Sequence, residues 1–254
     1  MPSDDKLEQG AFFEEIKKIL ALAEQEHATL RALGATAIRI HSETARGMAA
    51  NRPLTDLDFV AYRKDRRKIE VIFSRLGYQP NQTFNRLHGD ERLLFFGRES
   101  KLKVDVWLEV FRMAHTFNFK NRLQLDCPTL PLSDLLITKL QIVELNEKDV
   151  RDMICLLVDH PLSQSDENRE MINVSRLVDE CCDDWGVYKT FTTNLNNLKE
   201  LASHYLNDSN LVQLVTEKVT QILNSIETAP KSFRWKMRAK IGEKKSWYES
   251  PDVR

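Results

Sequence analysis

The stretch Asp56-Leu57-Asp58-Phe59-Val60-Ala61-Tyr62 constrains the fold more than any other part of this chain. It reads as a strand, and in a strand residues i and i+2 share a face. Asp56 and Asp58 therefore project together, while Leu57 and Phe59 go to the opposite, apolar side. Two carboxylates that close repel each other unless a cation lies between them. Magnesium takes oxygen ligands and keeps water and substrate phosphates in its shell. A half-exposed sheet that turns an acidic pair to solvent gives the same pattern, so the pair alone leaves both readings open.

A third acid interrupts the apolar run Leu102-Lys103-Val104-Asp105-Val106-Trp107-Leu108. Val104 and Val106 face one way; Lys103, Asp105 and Trp107 face the other. With this strand beside the first, Asp105 completes a three-carboxylate cluster. Such a cluster holds two metal ions about 4 Å apart, which activate an attacking hydroxyl and stabilise a leaving pyrophosphate.

Periodicity places these strands in a larger order. Phe12, Ile16, Ile19, Leu20, Ala23, His27 and Leu30 recur at helical spacing, and Gly34 reads as the stop of that helix. Alternation predicts a strand over 36–41, and 42–53 reads as a loop with room for a short helix. An amphipathic helix follows over 64–76, stopped by Gly77, then strands over 83–87, 92–96 and 102–109. An extended stretch over 123–130 is limited by Pro128 and Pro131. From Ser133, read as an N-cap, the pattern is helical. Helices are expected over 134–145 and 147–158, a polar linker over 163–168, and further helices near 169–183, 190–205 and 211–226.

Composition narrows the class. Of 254 residues, 42% are hydrophobic and 30% charged, enough for a core and for solubility. The net charge of −1 gives no global attraction to nucleic acid and leaves room for a local basic patch. Cys127, Cys155, Cys181 and Cys182 form no C-x-x-C pair, which argues against structural zinc. The six histidines show no H-x-x-x-H spacing. Residues 1–10 carry no apolar core of a signal peptide, and no run reaches the ~20 apolar residues of a membrane span. A cytoplasmic protein with no membrane association is expected.

Lys139 has Leu135, Leu136, Ile142 and Val143 at the positions that neighbour it on a helix. Such a lysine either snorkels from the edge of a core or is aimed into a cleft, where it contacts nucleotide phosphates. Asp149 and Asp152 share one face; they either position Lys139 or pair with Lys148 and Arg151. The tail over 231–254 carries eight basic against three acidic residues, interleaved with Phe233, Trp235, Trp247 and Tyr248. It suits a nucleic-acid clamp, a solvated terminus, or docking on the parent domain.

Taken together, Leu33-Gly34-Ala35-Thr36-Ala37, Arg52-x-x-Thr55-Asp56-Leu57-Asp58-Phe59, the Asp105 strand and the Lys139…Lys148-Asp149…Asp152 helix pair resemble the nucleotidyltransferase superfamily with the DNA polymerase beta-like core. The branch they resemble most is that of the abortive-infection AbiEii-type toxins and related bacterial proteins. The resemblance covers roughly residues 12–160. It implies an α/β (α+β) fold: a mixed sheet with flanking helices, then a helical C-terminal region. It also implies two magnesium ions and transfer of a nucleotidyl group from an NTP to a hydroxyl or phosphate acceptor. Asp56, Asp58 and Asp105 match the metal-binding and catalytic acids. Gly34, Thr36, Lys139 and Arg52 match nucleotide-binding positions, supported by Asp149 and Asp152. The toxin branch points to tRNA or another RNA as acceptor and to an antitoxin-like protein as partner.

The expected organisation is a nucleotidyltransferase core over 1–131, a helical region over 132–228 and a basic aromatic tail over 229–254. Ala35 stands where the family turn has a second glycine or serine, and the interval from Gly34 to Asp56 is long. These features motivate the alternative of a catalytically degenerate binding module or toxin–antitoxin-type partner protein.

Overall fold

The computed structural model describes residues 9–48, 56–98 and 102–250, less the side chains of 9–11 and 48. The chain divides into two compact units. The first comprises Met1–His41, Arg46–Phe111 and Phe117–Leu130; the second comprises Ser42–Ala45, Arg112–Thr116 and Pro131–Arg254.

The first unit is built on five strands: β1 (Leu30–Leu33), β2 (Asp56–Ala61), β3 (Tyr78–Pro80), β4 (Arg92–Gly97) and β5 (Lys103–Leu108). Their order in the sheet is β1-β2-β5-β4-β3. The central pair, β2 and β5, is parallel; every other pairing is antiparallel. Helices α1 (Gln9–Gln25), α2 (Gly34–His41), α4 (Arg66–Arg75) and α5 (Gln82–His88) belong with this sheet, and the short α3 (Glu43–Met48) follows α2. The mixed sheet with accompanying helices, followed by a helical C-terminal region, is the architecture the sequence leads one to expect.

Period-two alternation decides which sheet face is covered. Leu57, Phe59, Leu93, Phe95, Val104 and Val106 are buried on one side. α4 supplies Phe73, whose ring stacks on Phe95 at 4.6 Å, tilts against Phe59 at 6.2 Å and meets Tyr78 edge-on at 5.5 Å. Ile69 and Ile72 lie with Phe73 on the buried side of α4. Each buried side chain of this size stabilises by roughly 1.5–3 kcal/mol. The opposite face carries Asp56, Asp58 and Asp105.

Several expected elements differ. Residues 36–41 form α2 and not a strand, while the strand itself is Leu30–Leu33. The apparent alternation misleads because polar Thr36 and Arg39 are buried along with Ala37 and Ile38. Leu30 continues the spacing of α1 only by coincidence, since α1 ends at Gln25. Residues 83–87 lie in α5, not in a strand; Asn81 caps that helix by accepting from the Phe84 amide at 3.1 Å. The stretch 123–130 is mostly turns and bends, with a single bridge between Ala32 and Thr129. Ser133 lies inside α6 (Leu132–Leu140), whose N-cap is Pro131. The expected linker over 163–168 is flanked by a parallel pair, Leu162–Ser163 with Ile172–Asn173.

The second unit is helical: α6, α7 (Glu147–Asp159), α8 (Val174–Asp183), α9 (Trp185–Tyr205), α10 (Ser209–Thr228) and α11 (Phe233–Ala239). All nine residues of α6 are buried. Its polar groups must therefore find partners inside the protein. Asp134 accepts from Arg176 Nε at 3.0 Å, and Thr138 donates to the Leu135 carbonyl at 2.7 Å. The chain end of α6 is met by Asn194, whose amide donates to the carbonyls of Leu140 and Ile142 at 2.7 Å each.

The basic aromatic tail docks on its own unit. Trp235 packs edge-on against Tyr188 at 5.1 Å, and Trp247 does the same against Trp185 at 6.3 Å. Trp247 Nε1 donates to Thr190 Oγ1 at 3.2 Å, and the Glu249 amide donates to the Ala114 carbonyl at 2.9 Å. Among the described residues no helix is long and apolar enough to cross a membrane.

Candidate functional site

The register of the central strands assembles the candidate site in the first unit. Asp58 on β2 is the cross-strand partner of Asp105 on β5, and Asp56 is the partner of Lys103. Leu33 on β1 pairs with Asp58, and Leu94 on β4 pairs with Asp105. One row across the sheet thus reads Leu33, Asp58, Asp105, Leu94; the next reads Asp56, Lys103, Phe96. Adjacent strands lie about 4.8 Å apart and partnered residues share a face. The three acids are therefore brought onto one surface from two strands. Exposure is graded along it: Asp56 is exposed, Asp58 half-buried and Asp105 buried at 2%.

Asp105 is engaged. Arg92 Nε donates to its Oδ1 at 2.6 Å, and Arg92 Nη2 donates to its Oδ2. Lys103 Nζ lies 3.6 Å from the same Oδ2. Such a two-pronged guanidinium–carboxylate bond is strong and directional. The guanidinium is also held over the ring of Trp107 at 4.1 Å and of Phe84 at 5.7 Å. Sequence reasoning missed Arg92. Its place at the head of a strand is visible, but its reach to Asp105 depends on the antiparallel register that sets it opposite Trp107.

Gly34 forms the other edge. Its φ is +71°, a conformation that favours glycine, and a Cβ there would come within 2.7 Å of Asp58 Oδ2. The absent side chain lets the Asp58 carboxylate lie against the turn where β1 ends and α2 begins. The first amides of a helix lack partners within it and attract negative charge. Thr36 is buried two residues on. Arg52 lies outside the described residues.

Lys139, Asp149 and Asp152 come together within the second unit. Lys139 Nζ is 2.9 Å from Asp149 Oδ1 and 2.8 Å from Asp152 Oδ2, all three residues being buried. Burial works against the ammonium, yet the carboxylates of Asp152 and Asp149 outweigh it and hold its pKa above the ordinary lysine value. Asp149 and Asp152 thus position Lys139; Arg151 turns outward to Glu147 at 2.6 Å.

Among the described residues no group of three or more His, Cys, Asp or Glu side chains closes into a metal-holding set. The donor chemistry is nonetheless uneven. Asp56 and Asp58 offer oxygen ligands of the kind a hard divalent cation takes. Asp105 fits less well as a ligand, being buried with Arg92 already bonded to each of its oxygens.

No family model and no curated protein matches the chain. Among solved structures it is similar to the antibiotic-resistance factor ANT(2'')-Ia in a solution structure reported to reveal substrate-regulated conformation dynamics. The identity is 15%, over 77% of this chain and 97% of that one, with a TM-score of 0.42.

Proposed function

We propose that the carboxylate face of the first unit is the centre of a magnesium-dependent nucleotidyltransferase, moving a nucleotidyl group from an NTP to a hydroxyl or phosphate acceptor. The observation that carries this reading is the register that sets Asp58 opposite Asp105 on the face shared with Asp56. Asp56 and Asp58 are the residues that would hold magnesium, which when bound supplies positive charge to the triphosphate and lowers the barrier for an incoming hydroxyl. Gly34 lets the Asp58 carboxylate lie against the head of α2, which keeps this ligand beside a helix N-terminus of the kind that attracts phosphates. Asp105 is the third acid, oriented by Arg92. RNA, including tRNA, is the acceptor class to test first.

The fork of Arg92 on Asp105 favours a second reading, the same fold used to bind a nucleotide or a partner without turnover. Incorporation of labelled NTP, measured with magnesium across tRNA, other RNA, protein and small hydroxyl acceptors, separates the two. Turnover that disappears in the Asp56→Ala, Asp58→Ala double variant supports transfer. Turnover that survives it removes this site from the reaction, and magnesium-dependent NTP binding with no turnover on any acceptor supports the binding module.

A further inference from the structure

Resting on the nucleotidyl-transfer reading, we infer that this sheet face takes one divalent ion, through Asp56 and Asp58, and that the guanidinium of Arg92 supplies the positive charge that a second ion would otherwise bring to Asp105. Asp105 is then an oriented carboxylate held by a resident cation, and Arg92 is a positioning residue that sets the ion count.

The geometry supports this from several sides. Arg92 takes a lone pair on each oxygen of Asp105, and with only 2% of that side chain exposed a metal could reach the carboxylate only by disturbing the pair. Its position is not that of a loose surface side chain. It stands on β4, which pairs antiparallel with β5, and the register places it opposite Trp107, two residues along the same face from the Asp105 position. The planar group lies over Trp107 at 4.1 Å with the ring of Phe84 also near, an arrangement that favours a guanidinium over an ammonium. Only 20% of the Arg92 side chain and 2% of Asp105 are exposed. Lys103 adds a second cation to Oδ2.

A second ion at Asp105 would have to break a pair whose carboxylate is buried, leaving Arg92 uncompensated beside it, which is far costlier than displacing an exposed pair. Asp56 is exposed and Asp58 half-buried, against 2% exposure for Asp105.

Manganese(II) titration of the full chain, with free ion counted by electron paramagnetic resonance, tests the inference. Wild type is expected to bind one ion. Asp105→Asn should keep that one bound ion, weakened only through the loss of a neighbouring negative charge, because Asp105 is not its ligand. Arg92→Gln should create a second binding event, or strengthen a weak one by about tenfold, and the added Asp105→Asn change should erase it. Arg92→Lys should fall between wild type and Arg92→Gln. Circular dichroism and thermal melts confirm that each variant is folded.

Two ions on wild type, one of them lost in Asp105→Asn, would overturn the inference. So would a folded Arg92→Gln variant with unchanged stoichiometry and affinity. Should Arg92→Gln fail to fold, the Asp105→Asn arm still decides: abolition of ion binding in a folded variant makes Asp105 a ligand and refutes the assignment, whereas one ion retained upholds it. The underlying reading fails differently. If Asp56→Asn with Asp58→Asn leaves manganese binding intact, the nucleotidyl-transfer site itself is misplaced. If that pair abolishes binding while the Arg92 variants change nothing, only the role of Arg92 falls.

Discussion

The carboxylate of Asp58 lies 2.7 Å from the point where a side chain at Gly34 would begin. Gly34→Ala therefore meets two penalties. One is backbone strain at φ +71°, worth about 1–2 kcal/mol. The other is a displaced Asp58, because its carboxylate tip can rotate away more cheaply than the turn can move. The variant should melt only a few degrees lower, by roughly the shift such an energy produces, while manganese affinity drops by a larger factor. Equal ion binding in wild type and variant would show that the Asp58 orientation is irrelevant to the site.

Lys139→Met should be strongly destabilising. It leaves Asp149 and Asp152 buried without their cation, a loss of about 3–5 kcal/mol by analogy with other broken buried pairs. Denaturant unfolding checks it, and Asp149→Asn with Asp152→Asn in the same chain should recover part of the loss. The pH signature follows from the raised pKa. Its contribution is complete below the unfolded lysine value of about 10.4 and disappears only as pH rises through the higher folded value. A variant as stable as wild type at neutral pH would contradict this account.

His115 provides an acid-side signature. Burial pushes its pKa down to about 4, with the charge of Asp184 working in the opposite direction. The unfolded chain takes up the proton near pH 6.5 and the folded one does not, so stability is intact above that value. It falls as pH drops from about 6.5 towards 4, by up to roughly 3 kcal/mol, and then levels for this group. The ring also shares a 2.8 Å hydrogen bond with Thr190 Oγ1, which a neutral tautomer can make. Comparing urea midpoints of wild type and His115→Gln across that window isolates the effect; parallel curves would refute it.

Trp247→Ala should loosen the tail without unfolding the chain. It removes the hydrogen bond to Thr190 and the edge contact with Trp185. The cost is about 1–2 kcal/mol for a half-buried aromatic. Limited trypsin digestion should then cut after Lys244 or Lys245 several-fold faster than in wild type, as a local opening would allow. Unchanged cleavage would mean the tail is held by other contacts alone.

Much of the central sheet is legible in the sequence because alternation survives there. β4 and the first half of β2 alternate in burial as their Leu and Phe residues do, whereas β5 alternates in sequence but is buried on both faces after Lys103. The acids at 56, 58 and 105 stand out for the same reason. What escapes is register and polarity of burial. Arg39, 1% exposed, disguises α2 as an alternating strand. Nothing local to Arg92 announces Asp105 as its partner, since the pairing depends on how β4 slides along β5. Lys139 was legible as a lysine among apolar neighbours, and its partners at 149 and 152 settle how its charge is satisfied.

The parallel pairing of β2 with β5 has a kinetic meaning. Two segments that lie far apart along the chain run in the same direction, so no tight reversal joins them, and their alignment waits on the closure of everything between. The acids at 58 and 105 become neighbours only when that late, non-local event is complete. Any ligand that bridges both strands would consequently favour the finished sheet over its precursors and slow its opening. Hydrogen-exchange protection of the amides on these two strands would report on occupancy as well as on integrity.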